Sequence, residues 1–199
     1  MAYVTFRDTG GLQHWTFEAQ RRQDIARMVA PPIALQDQNS KQWQPWPGAE
    51  PGAIHIVDFI YTRCPSTCQG LGAQFRLMQQ ELLRRPSPVQ LLSISFDPQH
   101  DTVDRINAYA HQYGANASWW RVAAPIDEAD LRSLLRRFGV VAIDDGFGGY
   151  VHNSALHLID HEGRVRGIYD YGDWKTALAE ARRLAGDPRR RSAVAAADR

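Results

Sequence analysis

Apolar residues fall into two rhythms along this chain, unbroken runs and stripes at helical spacing, and the pattern becomes regular only after residue 52. AIHIVDFIY (53–61) is a nearly continuous apolar run rich in β-branched and aromatic residues, which predicts a strand buried on both faces. VQLLSISF (89–96) predicts a second. Between them, 65 to about 85 reads as a helix with Leu71, Phe75, Met78 and Leu82 on one stripe. Thr102 is placed to cap a helix carrying Ile106, Tyr109 and Tyr113, and Gly114 ends it. A short strand follows at 119–122. Asp127 then opens a helix carrying Leu131, Leu134, Leu135 and Phe138, which Gly139 closes. Strands at 150–159 and 164–169 are joined by the turn Asp160-His161-Glu162-Gly163, and a last helix runs from 173 to about 184.

The flanks are less regular. An N-terminal extension over 1–30 holds a possible amphipathic helix at 16–29, which Pro31 and Pro32 end. Residues 33–35 and the Trp43 region suit a short hairpin around DQNSK, followed by a loop rich in Pro and Gly. The tail over 186–199, with arginines at 189–191, reads as disordered. The expected organisation is one domain over 31–185 between these flanks. Its element order predicts an α/β fold with a mixed central sheet flanked by helices, and a thioredoxin-like sheet fits that order.

Composition narrows the function classes. An apolar content of 44% suffices for a core without disulfide staples. A formal net charge of +1 argues against a general nucleic-acid binder. No run approaches the roughly 18–20 apolar residues of a membrane span. MAYVTFRDTGG lacks the basic start and apolar stretch of a secretory signal, so the chain as given reads as soluble.

Both cysteines, Cys64 and Cys68, lie within five residues of each other. A structural disulfide usually closes a longer loop, so so local a pair points to redox or metal chemistry. The segment runs from a buried strand into a helix, with Pro65 suited to the first helical position. There, unpaired N–H groups and the helix dipole favour a thiolate at Cys64. Cys68 lies about one turn along the same face, so the sulfurs can meet as a disulfide or grip a soft metal. These residues alone leave both open. A third ligand would tilt the choice to metal, and His152, at a strand end just after the loop DDGFGG (144–149), is the best placed of the seven histidines. His157, five residues on, is expected to face the other side of the sheet, and His161 to sit in the turn.

Three blocks in this order resemble the SCO/SenC family over roughly residues 50–170: DFIYTRCPSTC (58–68), SISFDPQHDT (93–102) and YVHNSALHLIDHEG (150–163). Gln69 after Cys68, and Asn153-Ser154 after His152, depart from the commoner pattern without removing a ligand. The resemblance implies a membrane-tethered domain on the periplasmic or another extracytoplasmic face. It also implies copper, Cu(I) or Cu(II), on two thiolates and one imidazole, at Cys64, Cys68 and His152. The implied task is copper delivery to the dinuclear site of cytochrome c oxidase, with that oxidase's copper-site subunit or another copper carrier as partner. Two soft thiolates favour Cu(I), and the imidazole makes Cu(II) tolerable.

The alternative is a thiol–disulfide oxidoreductase in which Cys64 and Cys68 reduce a partner's cysteines. Three residues between the cysteines rather than two, and the presence of His152, weigh against it. A peroxidase is a third reading, but the segment lacks the Pro and Thr that peroxiredoxins place ahead of their reactive cysteine. Zinc also suits a set of two Cys and one His. Asp58, inside an apolar strand, is costly there unless hydrogen-bonded or protonated, and is a candidate proton relay to the dithiol. Asp97 is expected to start a turn and to orient the site, and Arg63 to steer an acidic partner.

Overall fold

A computed structural model describes residues 25, 28–49, 51–64 and 67–186, with only the backbone course given for 67–69. The strands are β1 (Leu35–Asp37), β2 (Gln42–Trp43), β3 (Ile54–Ile60), β4 (Val89–Ser95), β5 (Trp120–Pro125), β6 (Ala142–Asp144), β7 (Tyr150–His152), β8 (Ala155–Asp160) and β9 (Val165–Asp170). The helices are α1 (Thr67–Arg84), α2 (Val103–Tyr113), α3 (Glu128–Phe138) and α4 (Trp174–Ala185). Seven strands form one sheet in the order β2-β1-β5-β4-β3-β8-β9. Strands β3, β4 and β5 run parallel, whereas β1, β8 and β9 pair antiparallel with their neighbours, so the sheet is mixed as expected.

Each of the seven residues of β3 is buried, which is what an unbroken apolar run requires of a central strand. Helix α1 seats Leu71, Phe75, Met78 and Leu82 in the core along one stripe. Helix α1 touches both α2 and α4, and the three cover one face of the sheet. On the other face α3 brings Phe138 against Phe59 and His157, with ring centroids 5.8 and 4.9 Å away. Both predicted stops hold: Gly114 and Gly139 close α2 and α3 in the left-handed conformation. Asp127 caps α3 by accepting bonds from the N–H groups of Ala129 and Asp130. Thr102 occupies the N-cap position of α2 without a side-chain bond. Gly163 sits at φ +84° in the β8–β9 turn, and a Cβ there would come within 3.0 Å of the Trp46 ring. Trp46 is fully buried at the base of the sheet, its indole N–H donating to the Pro31 carbonyl at 2.9 Å.

Two expectations need correction. The segment 150–159 is not one strand: β7 pairs with β6 in a separate two-stranded sheet, and β8 joins the main sheet only from Ala155. His152 and His157 therefore belong to different sheets rather than to opposite faces of one. The helix expected over 16–29 falls mostly outside the described residues. Met28 and Val29 are not helical, and Val29 forms an antiparallel bridge to Arg164. Ile25 joins the core. Most of the tail over 186–199 also lies outside the described residues.

Candidate metal centre

The parallel strands β3 and β4 deliver two loops to the same end of the sheet, and the carboxylates of Asp101 and Asp97 tie them together. Asp101, buried, accepts from the Thr62 N–H (3.0 Å), the Thr62 hydroxyl (2.6 Å) and the Ser95 hydroxyl (2.5 Å). This holds the strand end two residues before Cys64 against the tip of β4. Replacing Asp101 by Ala leaves those donors without an acceptor. The expected loss is about 2–4 kcal/mol of stability in urea unfolding, with Asp101→Asn recovering part of it.

Asp97, also buried, is the second tie. Its carboxylate accepts from Arg63 Nε and Nη2 at 3.0 and 2.9 Å, from His100 Nδ1 at 2.9 Å, and from the Tyr150 hydroxyl at 3.4 Å. It therefore clamps the cysteine loop, its own turn and β7 in one place. The turn expected at Asp97 forms, the Asp97 carbonyl accepting from the N–H groups of His100 and Asp101. Arg63 is exposed, and its charge is matched by the buried Asp97 carboxylate. Its hydrogen bond to Asp97 raises its already high pKa. Burial, followed by the Asp97 charge, pushes the Tyr150 phenol upward.

Alternation along the β6–β7 hairpin decides which side chains meet this loop. Tyr150 and His152 turn inward, and Ile143 and Val151, which pair across the hairpin, turn outward. The Tyr61 hydroxyl donates to the Tyr150 carbonyl at 3.2 Å and accepts from the Tyr150 N–H at 3.1 Å. The inward rings interlock: Tyr61 lies edge-on to Tyr150 at 5.2 Å, and His152 stands 5.8 Å from Tyr61 and 5.1 Å from Phe96. Gly149 permits this closeness, since a Cβ there would fall 2.6 Å from an Asp145 oxygen and 3.3 Å from the Tyr61 hydroxyl.

Cys64 is buried, and its N–H donates to the Tyr61 carbonyl at 3.2 Å. Tyr61 is thus the shared neighbour of Cys64, through its backbone, and of His152, through its ring. The His152 Nδ1–H donates to the Asn153 carbonyl at 3.2 Å, which leaves Nε2 with the lone pair. Burial lowers the pKa of His152, so the imidazole is neutral at neutral pH, the form that ligates metals. Asn153 also anchors the hairpin base, accepting from the Val141 N–H at 2.8 Å and donating to the Gly139 carbonyl at 2.9 Å. The backbone of Cys68 lies in the first turn of α1, and its side chain is outside the described residues. Among the described residues, no three His, Cys, Asp or Glu side chains converge on one point. A buried thiol and a neutral imidazole flanking one tyrosine are nonetheless a donor set suited to a soft or borderline metal.

Asp58 stands apart from this cluster. It lies between Val57 and Phe59 on β3, so its side chain faces the α1 and α4 side of the sheet, and neither carboxyl oxygen has a hydrogen-bond partner of normal geometry. Burial pushes its pKa up to about 7, tempered by nearby Ser93. Sequence reasoning did not single out Tyr61, Phe96, Tyr150 or Asn153 as site residues. Only their positions inside the three motif blocks hinted at them.

Comparison with known proteins follows the same lines. The SCO1/SenC family model matches residues 29–185. The SCO1 protein homolog of Bacillus subtilis (strain 168) is 25% identical over 122 residues, covering 60% of this chain and 62% of that protein. The match thus spans less than two thirds of that relative's length. Among solved structures, a SCO1/SenC family lipoprotein from Bacillus anthracis str. Ames superposes with a TM-score of 0.71 at 20% identity, over 80% of this chain and 96% of the other. BsSco, a member of the Sco family of cytochrome c oxidase assembly proteins with a disulfide switch, gives 0.69 at 19% identity over 80% and 94%. ScoI of Arabidopsis thaliana with copper bound gives 0.65 at 17% identity, over 78% and 99%. These likenesses establish a shared, thioredoxin-like fold.

Proposed function

The chain belongs to the SCO1/SenC family, and on that footing we propose that it carries a copper ion on Cys64, Cys68 and His152 and delivers it to the dinuclear copper site of cytochrome c oxidase. The observation that carries this reading is the inward-turned His152, held through Nδ1 by the Asn153 carbonyl, beside the tyrosine that also bonds Cys64. A dithiol reductase has no use for such an imidazole. Copper-bound Arabidopsis ScoI and the oxidase-assembly family of BsSco support the same assignment. In Cu(I) delivery no electrons change hands: the partner's ligands replace the thiolates one by one at the open side of a low-coordinate ion. The dithiol must be reduced beforehand.

The hairpin supplies a docking edge for that partner. Val141, Ile143 and Val151 are exposed, and Phe147 at its tip is 97% exposed. Asp145 holds the tip in shape by accepting from the N–H groups of Phe147 and Gly149 at 2.8 and 2.9 Å, bonds that also lower its pKa. Apolar side chains presented this way beside a ligand are what a transient partner would cover. The site of action is the extracytoplasmic face of a membrane, in keeping with the lipoprotein relative. No described helix is long and apolar enough to cross a membrane.

The test is transfer itself. Copper-loaded protein is mixed with the soluble copper-site domain of an oxidase subunit, and the acceptor's optical bands are followed. Stoichiometric transfer is expected, slowed about tenfold by Phe147→Ser with copper affinity unchanged. No transfer, together with rapid reduction of the acceptor's disulfide, would favour the second reading. That reading moves two electrons and two protons from Cys64 and Cys68 to the partner's cystine and leaves a Cys64–Cys68 disulfide. The disulfide switch of BsSco is the observation in its favour.

A further inference from the structure

At the opposite end of β3 from the cysteines, about 20 Å along the strand by its rise per residue, lies a cleft of about 330 Å³. Its lining includes Lys41, Trp43, His55, Gln90 and Arg121, with Pro45, Gly48 and Ala49 along the rim. His55 is 3% exposed, and its Nδ1 has no hydrogen-bond partner. Arg121 Nε is likewise buried without a partner. The nearest acid to it is Asp37, whose Oδ2 stands 3.8 Å away, beyond hydrogen-bond reach. The other Asp37 oxygen is already taken by the N–H groups of Asn39 and Lys41 at 2.9 and 3.0 Å. The Arg121 guanidinium stacks over the Trp43 ring at 4.8 Å, and the Trp46 ring stands edge-on to His55 at 6.0 Å. Arg121 therefore lacks a close counter-charge, and two buried nitrogens without partners belong to residues that line the same cleft.

Unpaired buried polar groups are expensive, and two of them on residues that line one cleft call for a ligand that satisfies them. We propose that this cleft binds a small oxyanion, a phosphate or carboxylate group on a compact molecule, held by Lys41, Arg121 and His55. The planar guanidinium suits both groups through its fork of donors, and Lys41 adds a point charge at the mouth. Trp43 and Pro45 give the remainder of the molecule an apolar wall. Burial, and then the Arg121 charge, holds His55 down at about 4, while Gln90 and Asp160 act in the opposite sense. A bound anion offsets the Arg121 charge, so occupancy draws the His55 pKa upward. The site is separate from the copper ligands and does not depend on them.

The experiment is a titration of the reduced, metal-free protein with inorganic phosphate and, separately, with acetate at pH 7 and constant ionic strength in chloride. The Trp43 indole and His55 ring signals are followed by NMR. Saturable shifts confined to these residues are expected, without movement of the Cys64 segment and with the His55 pKa rising on saturation. Lys41 is exposed, so Lys41→Ala keeps the fold and should weaken binding about fivefold. Arg121→Gln should weaken it about tenfold or more. Tighter phosphate assigns a phosphorylated ligand, and tighter acetate a carboxylic acid. Shifts that stay linear in both titrations, or an affinity unchanged in both variants, would overturn the proposal.

Discussion

His152→Ala is expected to abolish the thiolate-to-copper bands of the Cu(II) protein and to weaken Cu(II) about 100-fold or more, while Cu(I) loses less. The asymmetry follows from ligand softness: two thiolates remain for Cu(I), whereas Cu(II) loses its only nitrogen donor. The comparison is fair because His152 is half-buried in a hairpin held by other contacts, namely the Asn153 side chain, the Tyr61–Tyr150 bonds and the Asp97–Tyr150 bond. Unfolding midpoints should therefore differ little between variant and parent. Competition titration against a chelator of known affinity measures the effect for each ion. Equal Cu(II) affinity in the two proteins would remove His152 from the ligand set and return the choice to a dithiol alone.

Asp58→Asn should stabilise the protein at alkaline pH by on the order of 2–4 kcal/mol and have no effect near pH 3. Burial raises the folded-state pKa to about 7, against roughly 3.9 in an unfolded chain. The folded protein therefore binds the extra proton between these values. The contribution of the protonated acid is intact below about pH 4, falls as pH rises through 7, and leaves a constant penalty above that. A neutral amide of the same shape cannot ionise and escapes the penalty. Urea unfolding at pH 4, 6 and 8 gives the comparison, and a parent that loses no stability relative to the variant across that range contradicts it. The same variant tests the proton-relay role. If Asp58 exchanges protons with the dithiol, the thiolate titration of Cys64 and Cys68 shifts in Asp58→Asn; an unchanged titration removes that role.

The parts of the fold legible in the sequence are those whose burial is total. Strands β3 and β4 announce themselves because a central strand with helices on both faces admits no polar alternation, and α1 because its buried stripe repeats at helical spacing. The β6–β7 hairpin was hidden for the opposite reason. Its strands are three residues each, half-exposed, and apolar on the outer side, so Tyr150–His152 merges by eye with the apolar run that follows. What separates them is Asn153, whose side chain turns back to Val141 and Gly139, bonds that span 12 and 14 residues and leave no local trace.

The candidate site divides in the same way. Cys64, Cys68 and His152 stand out because their chemistry is rare and their spacing unusual. The aromatic cluster of Tyr61, Phe96 and Tyr150 is composed of residues that any core would contain, and only tertiary packing sets them around His152. Arg63 shows the limit most plainly. Beside a cysteine it reads as a free charge, but across 34 residues it pairs with the buried Asp97 carboxylate. The cleft around His55 and Arg121 has no motif at all, because it is assembled from β2, β3, β4 and β5 and from the loop that follows β2.

Copper-edge X-ray absorption on the singly loaded, reduced protein addresses the ligand set most directly. The account predicts a first shell of two sulfurs and one imidazole nitrogen, with the nitrogen contribution and its outer-shell ring scattering lost in His152→Ala. A shell of sulfur alone, or of oxygen and nitrogen alone, would contradict it.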